Sequence, residues 1–277
     1  MNSNVRNILL KRYIPPLKRI KGRFNRFLDE LLPRRHFEAA NWIGPATLTI
    51  VCDDGPKTDI EKVVLVLEEQ RVPGVFAITN TLIGQAGYMD AADLKTLQSS
   101  GHEIASHMYR HTSLDSFSPP HLKNEISKAK SGLEELLPGK PVQSLIFPHG
   151  YNSRTIRKMV QSEFVCGVSA WLGLNVGAFN RYAIRRMPFG SYTRKGENQL
   201  QSYLDLIDAA IASKAWLVLM IHSHSEEHDA SQTDCLRKLI IYARAKGVAF
   251  ATLSDAMTRL DEASLQKNAA ISVGAES

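Results

Sequence analysis

A chain of 277 residues with 44% hydrophobic and 22% charged residues is long enough for a single large α/β barrel and needs no second domain. Three cysteines, Cys52, Cys166 and Cys235, give no even disulfide framework; no apolar run is long enough for a secretory signal or a bilayer span, so the expectation is a cytoplasmic protein with buried thiols. The net charge of +6 is unevenly placed: residues 1–36 hold ten Lys or Arg against Asp29 and Glu30, a surplus of eight, which leaves the remainder at −2 and gives no reason to expect nucleic acid as a partner.

In chain order, residues 1–45 read as a basic N-terminal helical extension. Leu17, Ile20, Phe24, Phe27, Leu28, Leu31 and Leu32 form an apolar stripe entered after Pro15-Pro16 and closed by Pro33, with a basic opposite face. Such a stripe can pack on its own protein or, over residues 17–32, make peripheral contact with an anionic membrane. Residues 46–260 alternate short apolar runs with helical patterns. Strands are predicted at Thr47–Cys52, Val75–Thr79, Glu103–Ser106, Ser144–Phe147, Cys166–Ala170, Trp216–Ile221 and Ala249–Leu253. Helices are predicted at Asp59–Gln70, His121–Leu137, Ser153–Ser162, Asn198–Ala212 and Gln232–Lys246. The alternation argues for a parallel sheet, closed or nearly so. The Ala- and Ser-rich tail, 261–277, reads as disordered.

Candidate chemistry sits at strand ends. Asp53-Asp54-Gly55 closes the first strand, and about fifty residues later comes His107-Met108-Tyr109-Arg110-His111. Two imidazoles and one carboxylate make a facial set for a divalent metal with positions left open, and a second carboxylate is then free to act as a base. Histidines four apart can meet one ion if the segment turns helically. Each motif alone has a plainer reading, since Asp-Asp-Gly is a common turn. Two further runs end in the same way, at Phe147-Pro148-His149-Gly150 and at Leu219-Met220-Ile221-His222. The second leads into Ser223-His224-Ser225-Glu226-Glu227-His228, read as a polar loop rather than a second metal site. His102 reads as structural.

In this order the motifs resemble the polysaccharide deacetylase family, also called the NodB-homology or carbohydrate esterase 4 family, from about Ala46 to Met257. Asp53-Asp54-Gly55 looks like its first motif, Gly101–His107 with His111 its second, Phe147–Gly150 a Tyr-Pro-Tyr-Gly-like third, and Leu219–His222 its fifth. The resemblance implies a distorted (β/α)7 barrel that removes acetyl groups from an N-acetylated sugar or saccharide, in assembly of a surface polysaccharide or glycoconjugate. It implies Asp54, His107 and His111 as metal ligands, most naturally for Zn²⁺ with Co²⁺, Ni²⁺ or Fe²⁺ as alternatives. Asp53 would be the general base toward water and His222 the general acid. Pro148 and His149 would form the oxyanion pocket, the His149 backbone N–H being the donor. Arg186, with Arg185 as the competing choice, would hold Asp53 as a carboxylate.

The chain departs from the family pattern at Cys52 (usually Phe), Met108 (usually Ser or Thr) and His149 (usually Tyr), and no fourth-motif Asp is evident. The His149 change keeps a different amide, imide or ester substrate open, and a catalytically silent saccharide- or partner-binding barrel is the alternative outside enzymes. Oligomeric state leaves no trace in the sequence.

Overall fold

The computed structural model describes residues 39–193 and 199–274, with side chains in the last helix described as far as residue 263. The predicted apolar stripe at 17–32 lies outside the described residues.

Ten strands are described: β1 Ala39–Trp42, β2 Thr47–Cys52, β3 Val75–Ile78, β4 Glu103–Ser106, β5 Ser144–Ile146, β6 Cys166–Leu172, β7 Gly177–Asn180, β8 Ile184–Phe189, β9 Trp216–Ile221 and β10 Ala249–Phe250. Seven of them, β2-β3-β4-β5-β6-β8-β9, run parallel and close into a barrel through β9–β2. The β2–β9 seam pairs Thr47 with Trp216 through to Cys52 with Ile221. The helices are α1 Leu65–Gln70, preceded by a π-helical turn Ile60–Val64, then α2 Ala91–Ser99, α3 Pro119–Leu136, α4 Arg154–Val160, α5 Leu200–Ala212, α6 Ala230–Ala245 and α7 Leu253–Gly274.

Pleat parity sorts the barrel into two cores. Leu48, Ile50, Cys52, Phe76, Ile78, Leu145, Phe147, Leu217, Leu219 and Ile221 pack outward against the helices. Val51, Val75, Ala77, Ala105, Ile146, Val168, Ile184 and Val218 pack in a second cluster, the lumen, together with residues of β1, β7 and α7. That second cluster is closed at the N-terminal end of the strands. Trp216, the first residue of β9, stacks on Trp42 at 5.4 Å and meets Phe179 edge-on at 6.1 Å, while Ala256, Met257 and Leu260 of α7 complete the floor. The short antiparallel pair β1–β7 thus clasps the barrel's underside.

Three expectations change. The predicted strand Ala249–Leu253 supplies only the two-residue β10 beside β2, and Leu253 already opens α7. The barrel's missing member is β8, hidden in the sequence because Arg185, Arg186 and Pro188 interrupt its apolar run. The tail expected to be disordered from 261 is helical to Gly274; Leu253, Ala256, Met257 and Leu260 bury one face of its start, and the Ala, Leu, Gln and Lys that follow are good helix formers. The short helix α2 was not foreseen either. It is set by a capping box in which Asp90 accepts from Ala92 and Asp93 while Asp93 accepts from the Asp90 N–H.

Candidate active site

The lumen parity that points Val51 inward also points Asp53 inward, two residues on. The same step leads from Ala105 to His107, from Ile146 to Pro148, from Ile184 to Arg186 and from Val218 through Met220 to His222. Four of these residues stand just past their strands at the carboxyl-end rim of one barrel, where barrel chemistry resides, and Arg186, inside β8, reaches Asp53 from its own strand.

Asp53 is 1% exposed and accepts two hydrogen bonds from Arg186 Nη1, at 2.9 Å to Oδ1 and 2.7 Å to Oδ2. Arg186 is itself buried. Arg185, the competing choice, points elsewhere, with Nη1 donating to the Leu172 carbonyl at 3.3 Å and its guanidinium over Trp171. His222 Nε2 lies 3.6 Å from Asp53 Oδ2.

Asp54 has φ +77°, a left-handed conformation uncommon outside glycine, and Gly55 continues it at +75°. The chain thereby leaves the strand and turns the second carboxylate toward the histidines: Asp54 Oδ1 is 3.3 Å from His107 Nε2 and 3.2 Å from His111 Nε2. The three candidate ligand atoms all lie within 4.8 Å of one another. Burial pushes the Asp54 carboxyl up, but the contact from His107 with the charges of His107, His111 and His222 outweighs this and holds it well below the usual carboxylate range.

The expected helical turn between the two histidines is not what unites them. Residues 107–112 form a bent loop in which Met108 sits at φ +69°, reversing the chain directly after β4. A short turn on the neighbouring loop braces it, with Asn80 N–H donating to the Met108 carbonyl at 3.3 Å and Thr81 N–H to the Tyr109 carbonyl at 3.0 Å. The missing hydroxyl at 108 is also not needed to orient His107. His107 Nδ1 lies 2.9 Å from the Ile146 carbonyl, so Nδ1–H donates there and the Nε2 lone pair faces Asp54.

Pro148, His149 and Gly150 form a tight turn after β5, with His149 at φ +55° and Gly150 at φ +71°. The His149 ring meets His111 edge-on at 4.6 Å. Left-handed non-glycine residues at 54, 108 and 149 all surround one spot, as backbone strain does at functional sites. A fourth, Tyr192 at φ +56°, is 72% exposed and sets its ring 4.8 Å from that of His222.

Several neighbours stand closer to the site than the sequence suggests. His224 is not remote loop: its Nε2 lies 3.7 Å from Asp54 Oδ2. His228 is fully buried, against Phe189 at 6.2 Å, with neither ring nitrogen hydrogen-bonded among the described residues. Burial, with Lys62 nearby, lowers its pKa to about 4. In the loops that follow β2 and β9, Asp59 and Ser223 are fully buried and hydrogen-bonded to each other, a pairing with no motif signature. His102 is structural, as read: its Nδ1 accepts from the Gly74 N–H at 3.0 Å.

The donor set suits a divalent metal. Asp54 Oδ1 is buried and makes no well-aligned hydrogen bond among the described residues, while two imidazole nitrogens converge on it, one with its tautomer fixed by a carbonyl.

A parallel seven-strand barrel with paired carboxylates and histidines at its carboxyl rim defines a (β/α)7 scaffold with a candidate metal site at its mouth. Residues 44–164 match the model of the polysaccharide deacetylase family. Solved structures that the chain resembles include members of carbohydrate esterase family 4, so the fold is that of the barrels the motifs implied. Bacillus subtilis PdaA, a family 4 carbohydrate esterase, aligns at TM-score 0.59 and 14% identity over 86% of this chain and 89% of that one. A family 4 acetyl xylan esterase from Clostridium thermocellum in complex with a cobalt ion aligns at 0.56 and 16%, over 76% and 90%. A pseudoenzyme of the same family from Bacillus anthracis aligns at 0.56 and 12%, over 77% and 66%. No curated protein matches the chain significantly by sequence.

Proposed function

We propose that this protein is a metal-dependent deacetylase that hydrolyses the amide of an N-acetylated sugar, in assembly of a surface polysaccharide or related glycoconjugate. The observation that carries the reading is the division of labour between adjacent carboxylates: Asp54 faces two imidazoles, while Asp53 faces Arg186 and His222.

Asp54, His107 and His111 would hold the metal, with Zn²⁺ the first choice for two nitrogens and an oxygen and Co²⁺, Ni²⁺ or Fe²⁺ also accepted. When bound, the ion supplies positive charge that polarises the acetyl carbonyl and acidifies water. Asp53 takes the proton of the attacking water, its carboxylate aimed by the two hydrogen bonds from Arg186. His149 N–H, on the tight turn after β5, donates to the oxygen that becomes negative. His222 passes a proton to the departing nitrogen, without which an amine leaves poorly.

A different amide, imide or ester remains the second reading, favoured by His149 in place of the family's tyrosine, since that side chain lines the mouth beside His111. Retention of both carboxylates and the three motif histidines argues against a silent barrel, which has no chemical need of them.

The deciding experiment measures metal content of wild type and His107→Ala together with acetate release from N-acetylglucosamine oligomers. Near-stoichiometric metal lost in the variant, with acetate released only by wild type, supports the reading. Metal without acetate points to another substrate, and no metal after reconstitution with Zn²⁺ or Co²⁺ favours the silent barrel.

A further inference from the structure

His222 carries a demanding role on little direct support. Its Nδ1 is buried and has no hydrogen-bond partner among the described residues. The fourth-motif aspartate that tunes this histidine in many relatives has no evident counterpart here. Around the ring stand Asp53 Oδ2 at 3.6 Å, Asp54 Oδ2 at 3.8 Å and the edge of Tyr192, none of which fixes its orientation by a hydrogen bond to Nδ1. The ring is therefore held mainly through its own backbone.

That backbone is tied down one residue later. Ser223, 0% exposed, donates from Oγ to Asp59 Oδ1 at 2.5 Å and shares a 2.7 Å hydrogen bond with Thr58 Oγ1. Lys62 Nζ donates to the carbonyls of Ser223 and of His228, both at 2.8 Å, gripping both ends of the turn that follows β9. Thr58, Asp59 and Lys62 all belong to the segment that continues from Asp53-Asp54-Gly55 into the first helical turn. Two loops from adjacent strands of the seam are thus stitched together a few residues after the carboxylates and His222, and Asp53 N–H donates across the same seam to the Ile221 carbonyl at 3.0 Å.

A surface loop has no need of such anchoring. Burying a carboxyl is costly, and Asp59 keeps Oδ2 without a partner among the described residues. Burial, aided by repulsion from Asp53 and Asp54, pushes its pKa up, consistent with an acceptor serving geometry rather than charge. Displacement of a reacting group by an ångström can cost a hundredfold in rate, which gives such a stitch its use.

We propose that Asp59, acting through Ser223, and Lys62 are positioning residues for His222, locking the peptide that carries the acid onto the loop that carries the base. The inference rests on the reading of His222 as the general acid.

The test compares wild type with Ser223→Ala, Lys62→Met, Asp59→Ala and Asp59→Asn by steady-state acetate release, metal content, thermal midpoint and hydrogen exchange of the peptide covering residues 219–229. Ser223→Ala is expected to lower kcat about tenfold or more with KM within twofold, to keep its metal, and to speed exchange in 221–229 alone. Asp59→Asn, which retains an acceptor for the Ser223 hydroxyl, should lose at least threefold less kcat than Asp59→Ala. Unchanged kcat and exchange in Ser223→Ala and Lys62→Met would overturn the proposal. So would a kcat loss that merely follows metal content and thermal midpoint. Should wild type release no acetate, exchange decides alone: acceleration confined to 221–229 supports positioning while the deacetylase reading fails, and unchanged exchange rejects it. If Ser223→Ala does not fold, Lys62→Met and the Asp59 pair carry the comparison.

Discussion

Asp53 and Asp54 are chain neighbours that face different partners because one obeys the strand pleat and the other leaves it. Asp53 continues the inward series of Thr49 and Val51, and Asp54, at φ +77°, swings to the histidines. Asp54→Ala is therefore expected to abolish metal binding, whereas Asp53→Asn should keep the metal and lose about 10²–10⁴ in kcat. Metal analysis beside steady-state rates checks this, and the reverse result would exchange the two roles. Arg186→Met leaves the Asp53 carboxylate buried and unpaired, which should cost about 3–5 kcal/mol in denaturant unfolding. The carboxylates and motif histidines that the structure brings together were legible in the sequence because they stand in an ordered series of motifs at strand ends. Asp59, Ser223 and Tyr192 were not, being ordinary residues whose significance lies in contacts with residues far away in the chain. Choosing Arg186 over Arg185 likewise needed the strand, whose parity puts only one of the two in the lumen.

Among the elements, the strands that alternate with helices were readable, and β8 and α2 were not. An apolar-run criterion fails for a strand whose inward positions are Arg186 and Pro188, and a nine-residue helix set by Asp90 and Asp93 shows too little periodicity. The loop between His107 and His111 misled for a related reason: spacing of four is shared by helices and by a reversal at Met108. The turn after β5 makes its own prediction. A Cβ on Gly150 would lie 2.2 Å from Ala170 Cβ and 2.7 Å from Ala170 N at a φ of +71°. Gly150→Ala should thus destabilise by roughly 2 kcal/mol or more, from overpacking and left-handed strain together. Thermal unfolding measures that, and acetate release should fall further than folded fraction alone because His149 moves with the turn.

At the scale of the whole molecule, stability should follow the protonation of His228. An unfolded imidazole titrates near 6.5, and in the fold its pKa is lowered to about 4 by burial, so the native state refuses a proton that the unfolded chain accepts. The stabilising contribution is complete above pH 6.5 and is lost as pH falls toward 4. Wild type should lose thermal midpoint across that window more steeply than His228→Phe; parallel curves would show that this histidine is not the cause. Chelation offers a second global readout, since an ion bound only by the folded state stabilises it by mass action. Prolonged treatment with a chelator should lower the midpoint by a few degrees without loss of far-ultraviolet helix signal, and Zn²⁺ should restore it.

The floor laid by Trp42, Phe179, Trp216 and the start of α7 has a kinetic consequence. With the lumen filled and the underside covered by apolar side chains, the described residues leave the rim no passage through the barrel. Whatever is cleaved at the rim must depart through the mouth by which the uncut molecule came in. Under the proposed deacetylase function, both products share one doorway, the smaller can be trapped under the larger, and accumulated acetate should compete with fresh substrate for entry.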